Sequence, residues 1–340
     1  MRSLDTDGYA RDREELAINT GEAAMHPRPT SLAQLRHSLT PVERATESPH
    51  YWEVRNSDFY PTVFARGRFP QADEPRIIAA DYVQCAALCW PACGPAALWD
   101  FSAISLTFVE RDDVIDADGD HDVLGMLKAC IADAESGFTS TNEELFGPLM
   151  KLVWDRLRGY VPPAQLDRLT SAVLDYFHGC LETAERRTAA ETYDDLDAYL
   201  RARRRTIGQA IDHVLIEISL GIDLSTELDR PLLKALHTCD IDRVVLLQDL
   251  QSLHKEILAG EGEENAVSVI ARSRDITTIE AAKLTIELFQ ATVERHCELS
   301  DRLIEETGGG ISPYVNGMNR FAAGLISWNA RSPRYAGESA

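Results

Sequence analysis

Three aspartates stand together in Phe108-Val-Glu-Arg-Asp112-Asp113-Val-Ile-Asp116. Asp112 and Asp116 are four residues apart, so on a helix they project from one face, with Asp113 beside them. Like charges this close repel, and a helix C-terminus is the unfavourable end for anions. Cations relieve both problems. Hard oxygen ligands with coordination positions to spare suit Mg²⁺, which keeps waters and bridges to substrate phosphates. Read alone, the cluster also fits a solvated acidic loop, because Asp118, Asp120 and Asp122 continue it. A calcium loop fails by register. Counted from Asp116 or Asp118, the sixth position is His121 or Val123 where glycine is required. His121-Asp122 matches the core of a metal-dependent phosphohydrolase motif, but two residues match by chance.

A second polar set lies far along the chain in Val244-Val-Leu-Leu-Gln248-Asp-Leu-Gln-Ser252-Leu-His-Lys255-Glu256. Gln248, Ser252 and Glu256 fall at i, i+4 and i+8, one stripe of oxygens along a helix. An amide, a hydroxyl and a carboxylate on one stripe could serve a single hard cation. Lys255 beside them could meet a phosphate. Alone, the stripe reads first as the solvent face of an amphipathic helix. Cys85, Cys89 and Cys93 lack the second pair or the histidines of a zinc site, and read as small core or pocket-lining residues.

The elements that must carry these residues are helices. Apolar residues recur at helical period over 75–90, 96–116, 121–136, 142–158, 163–188, 194–221, 229–259, 276–306 and 311–329. Alternating β-branched runs are nearly absent. Nine helices with short links predict an all-α bundle, with residues 1–50 as a loosely ordered extension and 51–340 as a single helical domain. Across 340 residues, 34 basic against 55 acidic side chains give a net charge of −21, which excludes polyanion binding to nucleic acid. No apolar run reaches a membrane span and the N-terminus lacks an apolar signal core, so a cytoplasmic protein is expected. Seven scattered cysteines agree with a reducing compartment.

Taken together, the two motifs resemble those of the class I terpene synthase family, the bacterial kind in particular. Asp112-Asp113-Val-Ile-Asp116 is similar to the family's aspartate-rich motif. Gln248-Asp249-Leu-Gln-Ser252-Leu-His-Lys255-Glu256 is similar to its second metal motif, with glutamine in place of the usual asparagine. Tyr199-Leu-Arg-Ala-Arg203-Arg-Arg-Thr206-Ile207-Gly208, with Arg203 45 residues before Gln248, resembles the family's diphosphate-sensing segment. Trp328-Asn-Ala-Arg-Ser-Pro-Arg334-Tyr335 resembles its C-terminal Arg-Tyr pair.

The resemblance implies a single all-α domain around a deep apolar cavity, in which three Mg²⁺ ions and basic side chains draw diphosphate from a linear prenyl diphosphate. The carbocation then cyclises and loses a proton or takes up water. It assigns Mg²⁺ to Asp112 and, more weakly, Asp116, and a second Mg²⁺ site to Gln248, Ser252 and Glu256. Arg203, Lys255, Arg334 and Tyr335 would contact diphosphate, and Asp113 would hold Arg203 once substrate binds. Arg204 and Arg205 would form a solvated face, and Thr206, Ile207 and Gly208 a helix break whose freed carbonyls face the cation. Trp328, then Phe108 and Trp99, would steady the cation through their π faces. No membrane span and no nucleic acid enter this picture, and a homodimer is left open.

Two alternatives stand beside it. A chain-elongating prenyltransferase needs a second full aspartate motif, and Asp194-Asp195-Leu-Asp197 has Ala198 where its last aspartate belongs. A non-catalytic helical binding protein would release no diphosphate. The small residues of 82–97 (Cys85, Ala86, Ala87, Cys89, Ala92, Cys93, Gly94), if they line the cavity, favour a C20 substrate over C15.

Overall fold

A computed structural model describes residues 45–116, 122–139, 146–259 and 264–334. Every regular element among them is helical, as the periodicity predicts, although fourteen α-helices replace the expected nine. The first four are α1 (Tyr51–Arg55), α2 (Phe59–Gly67), α3 (Glu74–Ala80) and α4 (Tyr82–Cys89). Next come α5 (Pro95–Asp116), α6 (Val123–Glu135), α7 (Gly147–Leu157) and α8 (Pro163–Thr188). The remainder are α9 (Leu196–Thr206), α10 (Gln209–Leu220), α11 (Pro231–Ala259), α12 (Ala266–Arg274), α13 (Thr278–Glu306) and α14 (Ser312–Asn329).

The extra helices have local causes that apolar periodicity does not carry. Asp81, in the left-handed region at φ 52°, splits the stretch 75–90 into α3 and α4. Its carboxylate caps α4 by accepting from the Gln84 amide at 3.1 Å. It also accepts from Tyr51 Oη at 2.6 Å and Arg55 Nε at 3.2 Å, which ties α1 to the same corner. The stretch 194–221 divides at Ile207-Gly208, where Gly208 adopts φ 81°, a conformation that glycine adopts without a Cβ clash. Asn265 starts the unforeseen α12, accepting from the Val267 amide at 2.9 Å. Thr277 and Glu280 close a capping box that starts α13.

Helix α11 lies at the centre, packed on α9, α10, α12, α13 and α14. α4 packs between α5 and α14, and α8 joins α6 to α9 and α10. The two motif-bearing helices, α5 and α11, are thus linked through α4 and α14, and in α14 Phe321, Leu325 and Trp328 are buried. The small residues of α4 serve close helix approach. A Cβ at Gly324 of α14 would fall on the Leu88 carbonyl and the Cys89 amide, so the two backbones nearly touch. Cys85, Ala86, Ala87 and Cys89 are buried in this interface region, which weakens the inference of a roomy cavity from their size.

That contact can be tested by adding a single methyl group. Gly324→Ala is expected to destabilise the protein by about 1–3 kcal/mol, because backbone rather than a movable side chain blocks the site. Urea or thermal melting followed by helical circular dichroism would measure it.

Candidate active site

The acidic end of α5 is held by groups on its other faces. Glu110, 4% exposed, accepts two hydrogen bonds from Arg76 at 3.1 and 2.6 Å and one from Tyr82 Oη at 2.5 Å. Arg111 turns the opposite way, its guanidinium stacked over Phe177 at 4.7 Å and Phe146 at 5.0 Å. Asp112 and Asp113 are left half-buried between these two anchors. Asp113 accepts from Arg334 and lies 3.9 Å from Arg76.

On the facing side, Asp249 of α11 is 2% exposed and tightly held. Its carboxylate accepts from Tyr199 Oη at 2.6 Å, the Ala266 amide at 2.9 Å and Arg203 Nη2 at 3.4 Å. One carboxylate therefore joins α9, α11 and the start of α12. Asn265 adds two bonds from its amide nitrogen, to the Asp249 carbonyl and to Glu256 Oε2, both 2.8 Å. Burial first, then the neighbouring Asp249, pushes the Glu256 carboxyl up to about 7, against the hydrogen bonds from Ser252 and Asn265.

Arg203 is the link between the two acidic walls. Burial opposes its charge, but Tyr199, Asp249, Asp112 and Glu256 together outweigh that and hold the guanidinium firmly cationic. Its Nη1 also donates to Thr206 Oγ1 at 3.3 Å, while its Nε has no partner. An arginine with a spare donor between Asp112 of α5 and Glu256 of α11 is equipped to receive an anion that arrives with cations.

The end of α14 closes a third side. Asn329 donates to Gln248 Oε1 at 2.7 Å and Gln251 Oε1 at 2.6 Å. Trp328 Nε1 donates to the Ala80 carbonyl at 2.8 Å, and its ring lies 5.6 Å from that of Tyr82.

Several expectations change. Asp113 pairs here with Arg334 and Arg203 is held by Asp249, whereas the expected pairing of Asp113 with Arg203 belongs to the substrate-bound state. Arg204 is no solvated residue: it clasps the buried Asp242 at 2.8 and 2.9 Å, whereas Arg205 does lie on the outer face with Asp175 and Glu182. Gly208 does not offer its carbonyl, which accepts from the Ile211 and Asp212 amides at 2.8 and 3.3 Å. Trp99 already stacks under Arg156 at 4.3 Å, and Phe108 packs on Tyr176 and Phe177. The side chains of Asp116 and Lys255, and all of Tyr335, lie outside the described residues. Asp249, Asn265, Glu110 and Asn329 were not foreseen as site residues. Only Asp249 carried a signal, as an acid within the second motif but off its stripe.

The donor set suits a hard divalent ion. Gln248, Ser252 and Glu256 present three oxygen ligands on one stripe, and the raised Glu256 carboxyl is one that a nearby cation would return to its charged form. Residues 103–295, more than half of the chain, match the family "Terpene synthase family 2, C-terminal metal binding". The chain belongs to the terpene synthase family. Within that family it is 27% identical over 206 residues to sesquiterpene synthase Agr8 of Cyclocybe aegerita, covering 59% of this chain and 58% of that one. It is 28% identical over 214 residues to 4-epi-cubebol synthase, a (2E,6E)-farnesyl diphosphate cyclizing protein of Streptosporangium roseum, covering 62% and 64%. The chain spans little more than half the length of sequence relatives such as these. The fold is that of linalool/nerolidol synthase from Streptomyces clavuligerus, with a TM-score of 0.75, 20% identity, and 86% and 100% of the two chains covered.

Glu256 gives this candidate site a measurable pH signature. Its folded pKa lies above the ordinary 4.5, so the charged carboxylate begins to destabilise the metal-free fold above that pH and does so fully above about 7. Glu256→Gln is therefore expected to stabilise metal-free protein on the order of 2–3 kcal/mol at about pH 8 and little at about pH 4. Mg²⁺ should raise the melting temperature of the parent at the higher pH, and much less that of the variant.

Proposed function

We propose that the protein is a Mg²⁺-dependent class I terpene cyclase, a carbon–oxygen lyase that ionises a linear prenyl diphosphate and cyclises the resulting cation. The observation that carries this reading is Arg203, which faces Asp112 of the aspartate-rich motif and Glu256 of the second motif at once. A diphosphate entering with metal ions would meet acid ligands on two walls and a guanidinium between them. Asp112, Gln248, Ser252 and Glu256 would hold the ions, three in the loaded site, with Asp116 and Lys255 on the same helices. Bound metal supplies Lewis-acid stabilisation of the departing phosphate oxygens.

The chain's own groups do the rest. Arg203 and Arg334 contact the diphosphate, and their forked donors bind two oxygens at once. In the absence of substrate they rest on Asp249 and Asp113, which keeps both guanidinia oriented. Tyr335, next in the sequence, is assigned to the diphosphate with Arg334 on the family resemblance alone. Trp328, fixed by its bond to the Ala80 carbonyl, offers a π face for the cation. The buried apolar faces of α4, α5 and α14 keep water from quenching it early.

The relatives favour a fifteen-carbon substrate, because one is named a sesquiterpene synthase and another as cyclizing farnesyl diphosphate. Chain elongation is disfavoured by the remnant Asp194-Asp195-Leu-Asp197, where Asp195 is spent as the cap of α9, accepting from the Ala198 amide at 2.7 Å.

Purified protein incubated with Mg²⁺ and C10, C15, C20 and C25 diphosphates should release diphosphate, fastest from C15, with cyclic hydrocarbon or alcohol in the organic extract. Longer prenyl diphosphates would indicate elongation, and no diphosphate release would indicate a binding protein. Three neighbouring substitutions locate the sensor. Arg203→Ala should slow diphosphate release by about 100-fold or more in protein still folded at the assay temperature. Arg204→Ala should act through stability, about 3 kcal/mol, by leaving buried Asp242 unpaired. Arg205→Ala should do neither, and equal activity loss from all three would sink the assignment of Arg203.

A further inference from the structure

The end of α14 reaches both helices that carry the acidic motifs, and Asn329 is where it meets the second. Asn329 is the last residue of α14 and is 3% exposed. Its Nδ2 donates to Gln248 Oε1 at 2.7 Å and to Gln251 Oε1 at 2.6 Å. An amide nitrogen carries two hydrogens, so these bonds use its whole donor capacity. Its Oδ1 is buried with no hydrogen-bond partner among the described residues. A buried carbonyl left unpaired costs stability, which an apolar residue of the same size would avoid. What asparagine supplies at this position, and leucine does not, is a pair of N–H donors aimed at α11.

The donor is itself fixed from both sides. Before it, Trp328 Nε1 donates to the Ala80 carbonyl at 2.8 Å. After it, the chain turns back, with the Arg331 and Ser332 amides donating to the Trp328 carbonyl at 2.9 and 2.8 Å. Five residues on, Arg334 reaches Asp113 of α5, so one short segment bridges the two motifs. Gln248, by contrast, is half-buried on a long side chain whose ordering costs entropy. A glutamine amide can turn either its oxygen or its nitrogen to one side. Against the Asn329 N–H only the oxygen is favourable, because the Gln248 nitrogen there would set donor against donor. A carbonyl oxygen has two acceptor positions, and Asn329 takes one of them. The other is left for an ion.

We propose that Asn329 is a positioning residue for metal binding at the second motif, holding the Gln248 amide oxygen at the head of the stripe that Ser252 and Glu256 continue. Gln251, 7% exposed, takes the second N–H and keeps the Asn329 amide from turning. Without Asn329 the Gln248 amide is free to rotate. An arriving ion must then order that side chain itself, which weakens its binding while Asp112, Ser252 and Glu256 stay in place.

This inference rests on the reading of Gln248, Ser252 and Glu256 as metal ligands, and one titration separates the two. Metal-free protein is held with a fixed concentration of inorganic diphosphate, and its melting temperature is followed as Mg²⁺ is raised. Wild type should show a rise with a defined midpoint in Mg²⁺. Asn329→Ala should move that midpoint up about 10-fold or more. Asn329→Leu fills similar space without the unpartnered oxygen, so it should give the same shift with a metal-free melting temperature nearer to wild type. Gln248→Leu should also raise the midpoint. The double variant Asn329→Ala/Gln248→Leu should go no further than the larger single shift, because Asn329 then has no ligand atom to position. A residue that only packs would lower the metal-free melting temperature and leave the midpoint in place. That result, or shifts that multiply in the double variant, overturns the role of Asn329. A wild-type midpoint in Gln248→Leu also overturns it, while leaving Asp112, Ser252 and Glu256 as ligands. No Mg²⁺-dependent rise in wild type overturns the metal site, and this inference with it.

Discussion

The buried carboxylate of Asp249 is the constraint around which the site is arranged. A charge taken out of water must be fully paired, and Tyr199, the Ala266 amide and Arg203 meet that demand from two other helices. In satisfying it, the chain fixes the direction of α9, the start of α12 and the resting position of its central arginine. Asn265 then reaches back to Glu256, so the last member of the second motif is set by the same junction. Burial first, and then the negative charge of Asp249 beside it, raises the Glu256 carboxyl.

A site of this kind works against the stability of its own empty form. Acidic groups gather at the end of α5 and along α11, in a chain that carries a net charge of −21. Positive side chains offset part of it: Arg76 on Glu110, Arg334 on Asp113, Arg203 on Asp249. The remaining excess is a stored attraction for cations, and metal binding is the event that would release it. Elsewhere the fold is conventional, with Trp154, Tyr82, Phe101 and Phe177 filling the spaces between long helices.

Much of this was legible in the sequence, for identifiable reasons. Long apolar periods are a strong helical signal, and Ile276–Glu306 ended within two residues of α13 at both ends. The oxygen-bearing residue types of the two motifs could be read from identity and spacing, whereas the break after Thr206 came only with the family resemblance and not from the apolar periodicity. What escaped was set by tertiary partners. Asn265 looks like an ordinary turn residue until α12 is seen to begin there. Arg204 and Arg205 are indistinguishable in the sequence, and only the placement of Asp242 on α11 separates them. Nothing along the chain shows that Arg334 reaches Asp113.

The left-handed residue at Gly208 carries a further consequence. It separates α9, which bears Arg203, from α10, with no continuous helical hydrogen-bond ladder between them. On the cyclase reading proposed above, substitutions on α10 could alter the contour met by the hydrocarbon without twisting the guanidinium out of alignment. Leaving-group departure and ring formation would then be separately heritable traits, and a lineage built on this joint could explore new carbon skeletons while keeping its first chemical step intact.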